Sequence, residues 1–275
     1  MPTAMPPADR SALDNAFSRP AVGFCAARFR DSAKAGASAE RLAERGYVTG
    51  AADKIEDFKF AYAACCLRIG HNPVFANPMQ AIDYVEVHDN NTLFDKLTAS
   101  LPQAPEDEKL AYLKMLNAVT LLAAGIPLIH AGQEIGATKG MDENSFDAGD
   151  AVNGLDYGLA ASRRGLYDFM KALTAFRRDH PEFCFKTKEQ LRDGLSFRNL
   201  DKGALLIRYS VPGDGFFYVF VNPNRESISY NFKNYVKVVF RETGAMPADY
   251  DFYSQLVLLN GLSVTVCYSR DEVTA

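Results

Sequence analysis

The 275-residue sequence has no tryptophan, no Cys-x-x-Cys pair and no apolar run of about 18 residues. The missing tryptophan removes a side chain that often stacks on sugar rings, so any such face must come from the 13 tyrosines or 19 phenylalanines. Without a long apolar run we expect no transmembrane helix and no membrane partner. The first residues also lack the charged-then-apolar pattern of a signal peptide.

Cysteine usage and charge exclude further classes of protein. The five cysteines are an odd number, and none has metal-ligand spacing with a histidine. Free, mostly buried thiols are typical of a reducing compartment, so the sequence predicts a cytoplasmic protein. The net charge is −4 and no long basic run occurs, so we expect no nucleic-acid partner.

An apolar stretch that ends in polar residues is the first candidate for a functional site. Residues 81–87 are mostly apolar and β-prone, and His88, Asp89, Asn90 and Asn91 follow directly. A buried parallel strand carries catalytic side chains in this way at its carboxyl end. A carboxylate there could stabilise a developing cation, and an imidazole could hydrogen-bond a hydroxyl. The alternative is that these residues open a turn or cap the next helix.

A helix and a second apolar run follow this stretch. The acids after Pro105 favour a helix N-terminus, Gly125 ends the helix, and residues 126–131 are typical of a buried parallel strand. Strand, helix and strand make a βαβ unit, which predicts a parallel sheet. His130 lies in the second run, and we expect it to be a hydrogen-bonded histidine of the core or the cleft floor rather than a catalytic one.

The last two regions are a polar loop and a segment of alternating residues. The loop 136–158 is rich in Asp, Asn and Gly, and it is either a solvated surface loop or part of an active face. Calcium is a weak alternative because the acids do not follow EF-hand spacing, so we expect no cofactor. Before residue 180, Leu166, Phe169, Leu173 and Phe176 have the spacing of the apolar face of a helix. From about residue 185 apolar residues alternate with a period of two, which predicts an antiparallel β domain with strands at 195–200, 205–211, 216–222, 227–232, 235–240 and 262–268.

Four segments together resemble type I pullulanases, which are debranching members of the α-amylase superfamily (glycoside hydrolase family 13). Residues 78–97 (PMQAIDYVEVHDNNTLFDKL) resemble the fourth signature region, at the end of barrel strand seven. Residues 125–134 (GIPLIHAGQE) are similar to the eighth strand, and residues 139–157 to the loop after it. Residues 28–34 (RFRDSAK) resemble the segment after strand six. The order and spacing of these segments carry the resemblance.

This resemblance implies a fold and a set of residue roles. The fold is α/β plus β: strands six to eight of a (β/α)8 TIM barrel within residues 1–182, followed by an antiparallel β-sandwich in residues 183–275. Asp89 is then the transition-state stabiliser, and His88 hydrogen-bonds the sugar at the cleavage site. Asn144 and Asp150 become candidates for holding sugar hydroxyls. No metal site is implied.

The resemblance also implies a reaction that these residues do not complete. A retaining glycosidase needs a nucleophile and an acid/base about 5–5.5 Å apart. No segment here resembles strands three to five, which carry both groups in this family. We therefore expect a pullulanase-type hydrolase of α-1,6-glucosidic linkages, represented by a fragment that is inactive alone. Its expected partners are α-glucans (pullulan, glycogen and starch limit dextrin) and the missing half of the barrel.

Two alternatives remain open at this point. The chain could be a non-catalytic glucan-binding or structural remnant of such an enzyme. It could also derive from another superfamily member such as an isoamylase-like enzyme, although Asn144, Ser145 and Phe146 after the eighth strand favour a pullulanase.

Overall fold

The computed structural model describes residues 10–36, 38–247 and 249–273, in which helices and a small parallel sheet precede a larger antiparallel sheet. The helices are α1 (Ala27–Lys34), α2 (Ile55–Tyr62), α3 (Leu93–Ser100), α4 (Glu106–Leu122), α5 (Asp150–Asn153), α6 (Gly158–Ser162), α7 (Arg164–Asp179) and α8 (Lys188–Gly194). The strands are β1 (Phe24–Cys25), β2 (Ala81–Asp83), β3 (Ile126–Pro127), β4 (Leu195–Asn199), β5 (Leu205–Val211), β6 (Gly215–Asn222), β7 (Ile228–Arg241), β8 (Gly244–Ala245), β9 (Tyr253–Leu259) and β10 (Ser263–Ser269). No described helix is long and apolar enough to cross a membrane.

The three short strands β1, β2 and β3 form a parallel sheet in that order, which confirms the predicted βαβ unit. Both strands of that unit are shorter than the sequence indicated, since pairing was expected over residues 81–87 and 126–131. Tyr84 and Val85 are buried although they lie outside the strand. The apolar character of this stretch therefore reflects burial in the core rather than pairing in the sheet.

Two long helices cover the sheets. Helix α4 begins after Pro105 with acids in its first turn, as predicted. Helix α7 buries Leu166, Phe169, Leu173 and Phe176, whose spacing of three and four residues places them on one face. This face packs against α4 and the antiparallel sheet, where the ring of Phe169 lies 5.5 Å from that of Phe240.

The antiparallel sheet has the order β4-β5-β6-β10-β7-β8, and β9 pairs with β7. The predicted antiparallel arrangement is confirmed, and all seven strands belong to one hydrogen-bonded sheet, while the two-layer sandwich stays a prediction. Residues 227–232 and 235–240, expected as two strands, form the single strand β7. A register shift between Asn231 and Val236 interrupts the pairing of β7 with β9, and β10 pairs with residues 237–240 of β7.

The hydrophobic core lies on both faces of this sheet. Alternate residues of each strand point to opposite faces, and both faces carry buried apolar side chains, although Leu256 and Leu258 of β9 are exposed. One face joins the helices in a large cluster, where Phe176 contacts the rings of Phe183, Phe217 and Phe240. The other face forms a smaller cluster with residues of β7 and β9. Because the larger cluster continues across residue 182, the two parts share one core, and the boundary at that residue stays a prediction.

All five cysteines are free. Three of them (Cys65, Cys66 and Cys267) are buried and two (Cys25 and Cys184) are exposed, as the prediction of mostly buried thiols requires.

Candidate functional site

The carboxyl ends of β2 and β3 lie at one edge of the parallel sheet, which we call the carboxyl edge. Neighbouring parallel strands run in the same direction, so the residues that follow Asp83 and those that follow Pro127 leave the sheet on the same side. The carboxyl edge therefore brings residues 84–92 next to residues 128–136. These are the two segments whose strand-then-polar order suggested a functional site.

His88 and Asp89 lie beyond β2 at the carboxyl edge. The Nε2 atom of His88 is 3.4 Å from Oδ1 of Asp89, and the two side chains are 84% and 73% exposed. Asn90 adopts a left-handed backbone with φ of 65°, and the hydroxyl of Thr92 accepts the backbone N–H of Asp95 to cap α3. The segment thus contains the turn and the helix cap, while His88 and Asp89 remain exposed beside them.

A buried carboxylate joins the ends of the two strands. Glu86 is only 4% exposed, and one of its oxygens accepts the backbone N–H of Leu93 at 2.6 Å. The other oxygen lies 2.7 Å from Nδ1 of His130. The prediction that His130 is hydrogen-bonded is therefore confirmed. This carboxylate holds residues 84–92 against both the segment that follows β3 and the start of α3.

A cavity of about 230 Å³ opens beside this pair. Its lining consists of Glu86, Thr92, His130, Ala131, Ala137, Thr138, Lys139, Val152, Asn153, Gly154 and Leu155. None of the four residues predicted to act on or bind a sugar is part of this lining.

The loop 136–158 is anchored to α3 by a buried carboxylate. Asp95, which is 3% exposed, accepts the hydroxyl of Thr138 and the backbone N–H groups of Lys139 and Met141 at 2.9 and 3.3 Å. Farther along the loop, the Nζ atom of Lys139 donates to Ser145 Oγ at 2.9 Å. These contacts fix the side of the loop that borders the cavity.

The two loop residues predicted to hold sugar hydroxyls are exposed. Asp150 begins α5, and Asn144 lies just before a turn at Ser145–Asp147. In the described part of the chain, no hydrogen bond or ion pair joins either residue to His88 or Asp89. The structure brings His88 and Asp89 together and leaves Asn144 and Asp150 separate on the loop, so their roles stay predictions.

Helix α3 also anchors the segment 41–44, through the residue that follows Asp95. The buried Nζ atom of Lys96 donates to the backbone carbonyls of Arg41, Leu42 and Glu44 at 2.8, 2.7 and 2.8 Å. Burial lowers the pKa of Lys96 to about 8. Adjacent residues of one helix therefore hold two loops, Asp95 the loop 136–158 and Lys96 the segment 41–44.

Two further ionisable groups are fully buried near the sheet. Burial raises the pKa of Asp83 well above its ordinary value, although one of its oxygens accepts the backbone N–H of Gly125 at 3.1 Å. Burial and the neighbouring cation Lys96 lower the pKa of Lys34 to about 7. Among residues 10–36, 38–247 and 249–273, no three His, Cys, Asp or Glu side chains are grouped so that they could hold a metal ion.

Sequence reasoning missed the roles of Glu86, Asp95 and Lys96. All three lie within residues 78–97, a segment to which the sequence assigned roles only at His88 and Asp89. The available signal was the presence of charged residues in stretches that are otherwise buried, because a buried charge needs a partner.

Comparison with known proteins adds a family relationship. No family model matches the chain. A pullulanase from Bacillus subtilis (strain 168) is 30% identical over 206 residues, which cover 75% of this chain and 28% of that protein. This chain therefore spans between a quarter and a third of the length of that relative.

Solved structures agree with the sequence comparison. A type I pullulanase from Bacillus subtilis str. 168, complexed with maltose, superimposes with a TM-score of 0.89 at 26% identity, over 97% of this chain and 38% of that one. A pullulanase from Paenibacillus barengoltzii, in complex with maltohexaose and alpha-cyclodextrin, gives a TM-score of 0.86 at 28% identity, over 98% of this chain and 42% of that one.

Proposed function

The chain belongs to the pullulanase family and matches its C-terminal part, and from this membership we propose that it forms part of a debranching glycoside hydrolase that cleaves α-1,6-glucosidic linkages. In this proposal β1, β2 and β3 are strands six, seven and eight of a (β/α)8 barrel. Their parallel order follows the order of the sequence, as neighbouring barrel strands do. Such a barrel has eight strands, so the other strands come from outside these residues.

The observation that carries the proposal is the position of the His88–Asp89 pair on the carboxyl edge. In barrel enzymes the active site forms at the carboxyl ends of the strands. Asp89 then places a negative charge next to the oxocarbenium-like transition state, and His88 offers a hydrogen bond to a sugar hydroxyl. Asn144 and Asp150, on the loop that follows the next strand, contact hydroxyls farther along the glucan.

The proposed ligand is an α-glucan such as pullulan, glycogen or starch limit dextrin. The related structures hold maltose, maltohexaose and alpha-cyclodextrin, which supports the same ligand class here. Asp89 alone cannot also attack the anomeric carbon and protonate the leaving oxygen, because those tasks need carboxyl groups on different sides of the scissile bond. We therefore propose that these residues bind glucan but need the two other carboxyl groups for turnover.

One observation favours binding without catalysis as a second candidate function. The Asp89 carboxylate is 73% exposed, and water around it weakens its field at a reacting sugar. A glucan-binding remnant needs no such field, whereas an enzyme must cover this carboxylate with the remaining barrel or with its substrate.

A reducing-sugar assay on pullulan separates the two candidates. The chain alone should release no reducing ends, and a mixture with a separately expressed upstream half that carries the nucleophile and the acid/base should release them. Asp89→Asn should lower the rate of that mixture by orders of magnitude, because removing one member of a catalytic group typically does so. Asp193→Asn, on the exposed surface of α8, is the matched control.

Two results would contradict this assignment. Turnover by the chain alone, lost in Glu86→Gln or Glu134→Gln, would place the catalytic acids elsewhere. A mixture in which Asp89→Asn is as active as the wild type would remove Asp89 from the reaction. A mixture that stays inactive while the chain binds maltohexaose would favour the binding-only function.

A further inference from the structure

The imidazole of His130 has one ring nitrogen engaged and one unused. Its Nδ1 atom is paired with Glu86 at 2.7 Å, and no described residue forms a hydrogen bond with Nε2. An ionised carboxylate can only accept, so the neutral imidazole carries its proton on Nδ1 and offers Nε2 as an acceptor. His130 lines the cavity of about 230 Å³ beside the carboxyl edge, with a side chain that is 24% exposed.

The rest of the lining is apolar or polar with partners on the protein, and the Lys139 ammonium donates to Ser145. The hydroxyl of Thr92 accepts the N–H of Asp95, and its own proton remains available for donation. Asn153 is occupied by Ser145. The apolar side chains in the lining are Ala131, Ala137, Val152 and Leu155. The cavity therefore presents an acceptor, a donor and an apolar wall.

This combination selects the chemical class of the ligand. The lining carries one carboxylate, Glu86, and one ammonium, Lys139, so it has no excess of either charge and favours a neutral ligand. The volume equals that of roughly eight water molecules at about 30 Å³ each, which is room for one sugar ring. A neutral ring with hydroxyl groups on its rim and C–H groups on its faces matches both parts of the lining.

We propose that this cavity binds one glucose unit of an α-glucan, with Nε2 of His130 accepting a hydrogen bond from a sugar hydroxyl. Glu86 is a positioning residue, because its hydrogen bond fixes the proton of the imidazole on Nδ1. The inference rests on the proposed function, from which it takes the α-glucan as ligand. It adds a binding site that lies deeper than the exposed His88 and Asp89.

Nitrogen NMR of the full chain labelled with ¹⁵N-histidine tests the tautomer directly. The chain has four histidines, and two of them serve as internal references. The Nε2 atom of His71 is hydrogen-bonded to Asp57 at 2.6 Å, whereas the Nδ1 atom of His180 is hydrogen-bonded to Glu182 at 2.7 Å. His130 should show the Nδ1–H pattern of His180 and not the Nε2–H pattern of His71. An Nε2–H pattern at His130 would overturn the proposed acceptor.

Titration with maltose tests the ligand. The Nε2 signal of His130 should move in a saturable way, while the signals of His71 and His180 stay in place. If the signal of His88 moves and that of His130 does not, the cavity site is wrong and glucan binding at the edge stands. If no histidine signal moves up to the solubility limit of maltose, both the cavity site and the proposed glucan binding are wrong.

A variant of Glu86 tests the positioning role. The N–H of Leu93 needs an acceptor, so in Glu86→Gln the amide oxygen should face Leu93 and the amide NH₂ should face Nδ1 of His130. The imidazole should then switch to the Nε2–H tautomer, and maltose affinity should fall on the order of 3- to 10-fold, as expected for one lost hydrogen bond. Unchanged tautomer and affinity in a folded Glu86→Gln would refute the role of Glu86. The wild-type titration stands by itself if this variant does not fold.

Discussion

Replacing Lys34 by methionine should change how the free energy of unfolding depends on pH. Lys34 is 1% exposed, and its one hydrogen bond is a long contact of 3.4 Å from Nζ to the carbonyl of Ala35. Burial lowers its pKa from 10.5 to about 7, and the nearby cations Lys96 and Arg30 act in the same direction. The folded protein therefore holds this proton less firmly than the unfolded chain does.

The sign and size of the effect follow from linkage. The folded-state pKa lies below the unfolded one, so between pH 7 and 10.5 the unfolded chain binds more protons and stability rises with pH. Below pH 7 the full cost of about 5 kcal/mol is present, at about 1.4 kcal/mol per pKa unit. Integration from pH 6.5 to pH 8.5 gives a rise of about 2 kcal/mol from Lys34 alone.

Urea unfolding of the wild type and Lys34→Met at these two pH values measures the effect. The variant should lose about 2 kcal/mol of the rise and should be more stable than the wild type at pH 6.5. Lys96 titrates nearby, with a pKa of about 8, and losing the repulsion from Lys34 should raise that pKa in the variant, which lowers the rise of the variant further in the same direction. The comparison stops at pH 8.5 because burial raises the pKa of the Cys66 and Cys267 thiols to about 12. At higher pH these two thiols make the free energy of unfolding fall as the pH rises, which opposes the effect of Lys34.

Lys171→Met, on the exposed face of α7, is the control and should keep the wild-type dependence on pH. A Lys34→Met variant with the same rise between pH 6.5 and 8.5 as the wild type would refute the reasoning. It would mean that the Lys34 side chain reaches water or an acidic partner in the folded protein.

Three further predictions concern the anchors of the site and the sheet. Asp95→Asn should speed hydrogen exchange at the two loop amides that the carboxylate accepts, while amides elsewhere keep their protection; uniform loss of protection would indicate global destabilisation instead. Lys96→Met should lower the free energy of unfolding, because three carbonyls lose their donor, but by less than the roughly 3 kcal/mol of three lost hydrogen bonds, because it also removes a buried charge; a neutral result in urea unfolding would contradict this. Gly125→Ala should lower the melting temperature, since a methyl group there would lie 2.6 Å from the carbonyl of Ala81 and closer still to Asp83; a variant as stable as the wild type would show that the sheet yields at this point.

Local patterns in the sequence determined the order of elements and the buried faces. The alternation in residues 205–211 predicted β5 with its observed ends, and the spacing of apolar residues predicted the buried face of α7. The strand-then-polar order located the segment with His88 and Asp89. These features depend on neighbours a few residues away, so periodicity and turn chemistry report them.

Tertiary structure alone decided which distant groups meet. Glu86 and His130 are 44 positions apart, and each could have paired with water or another residue. The same holds for Asp95 with Thr138, and for the pairing that makes residues 228–241 the single strand β7 beside both β9 and β10. Apolar periodicity shows that a position is buried but not what lies opposite it, because the partner is set by how the whole chain closes around that position.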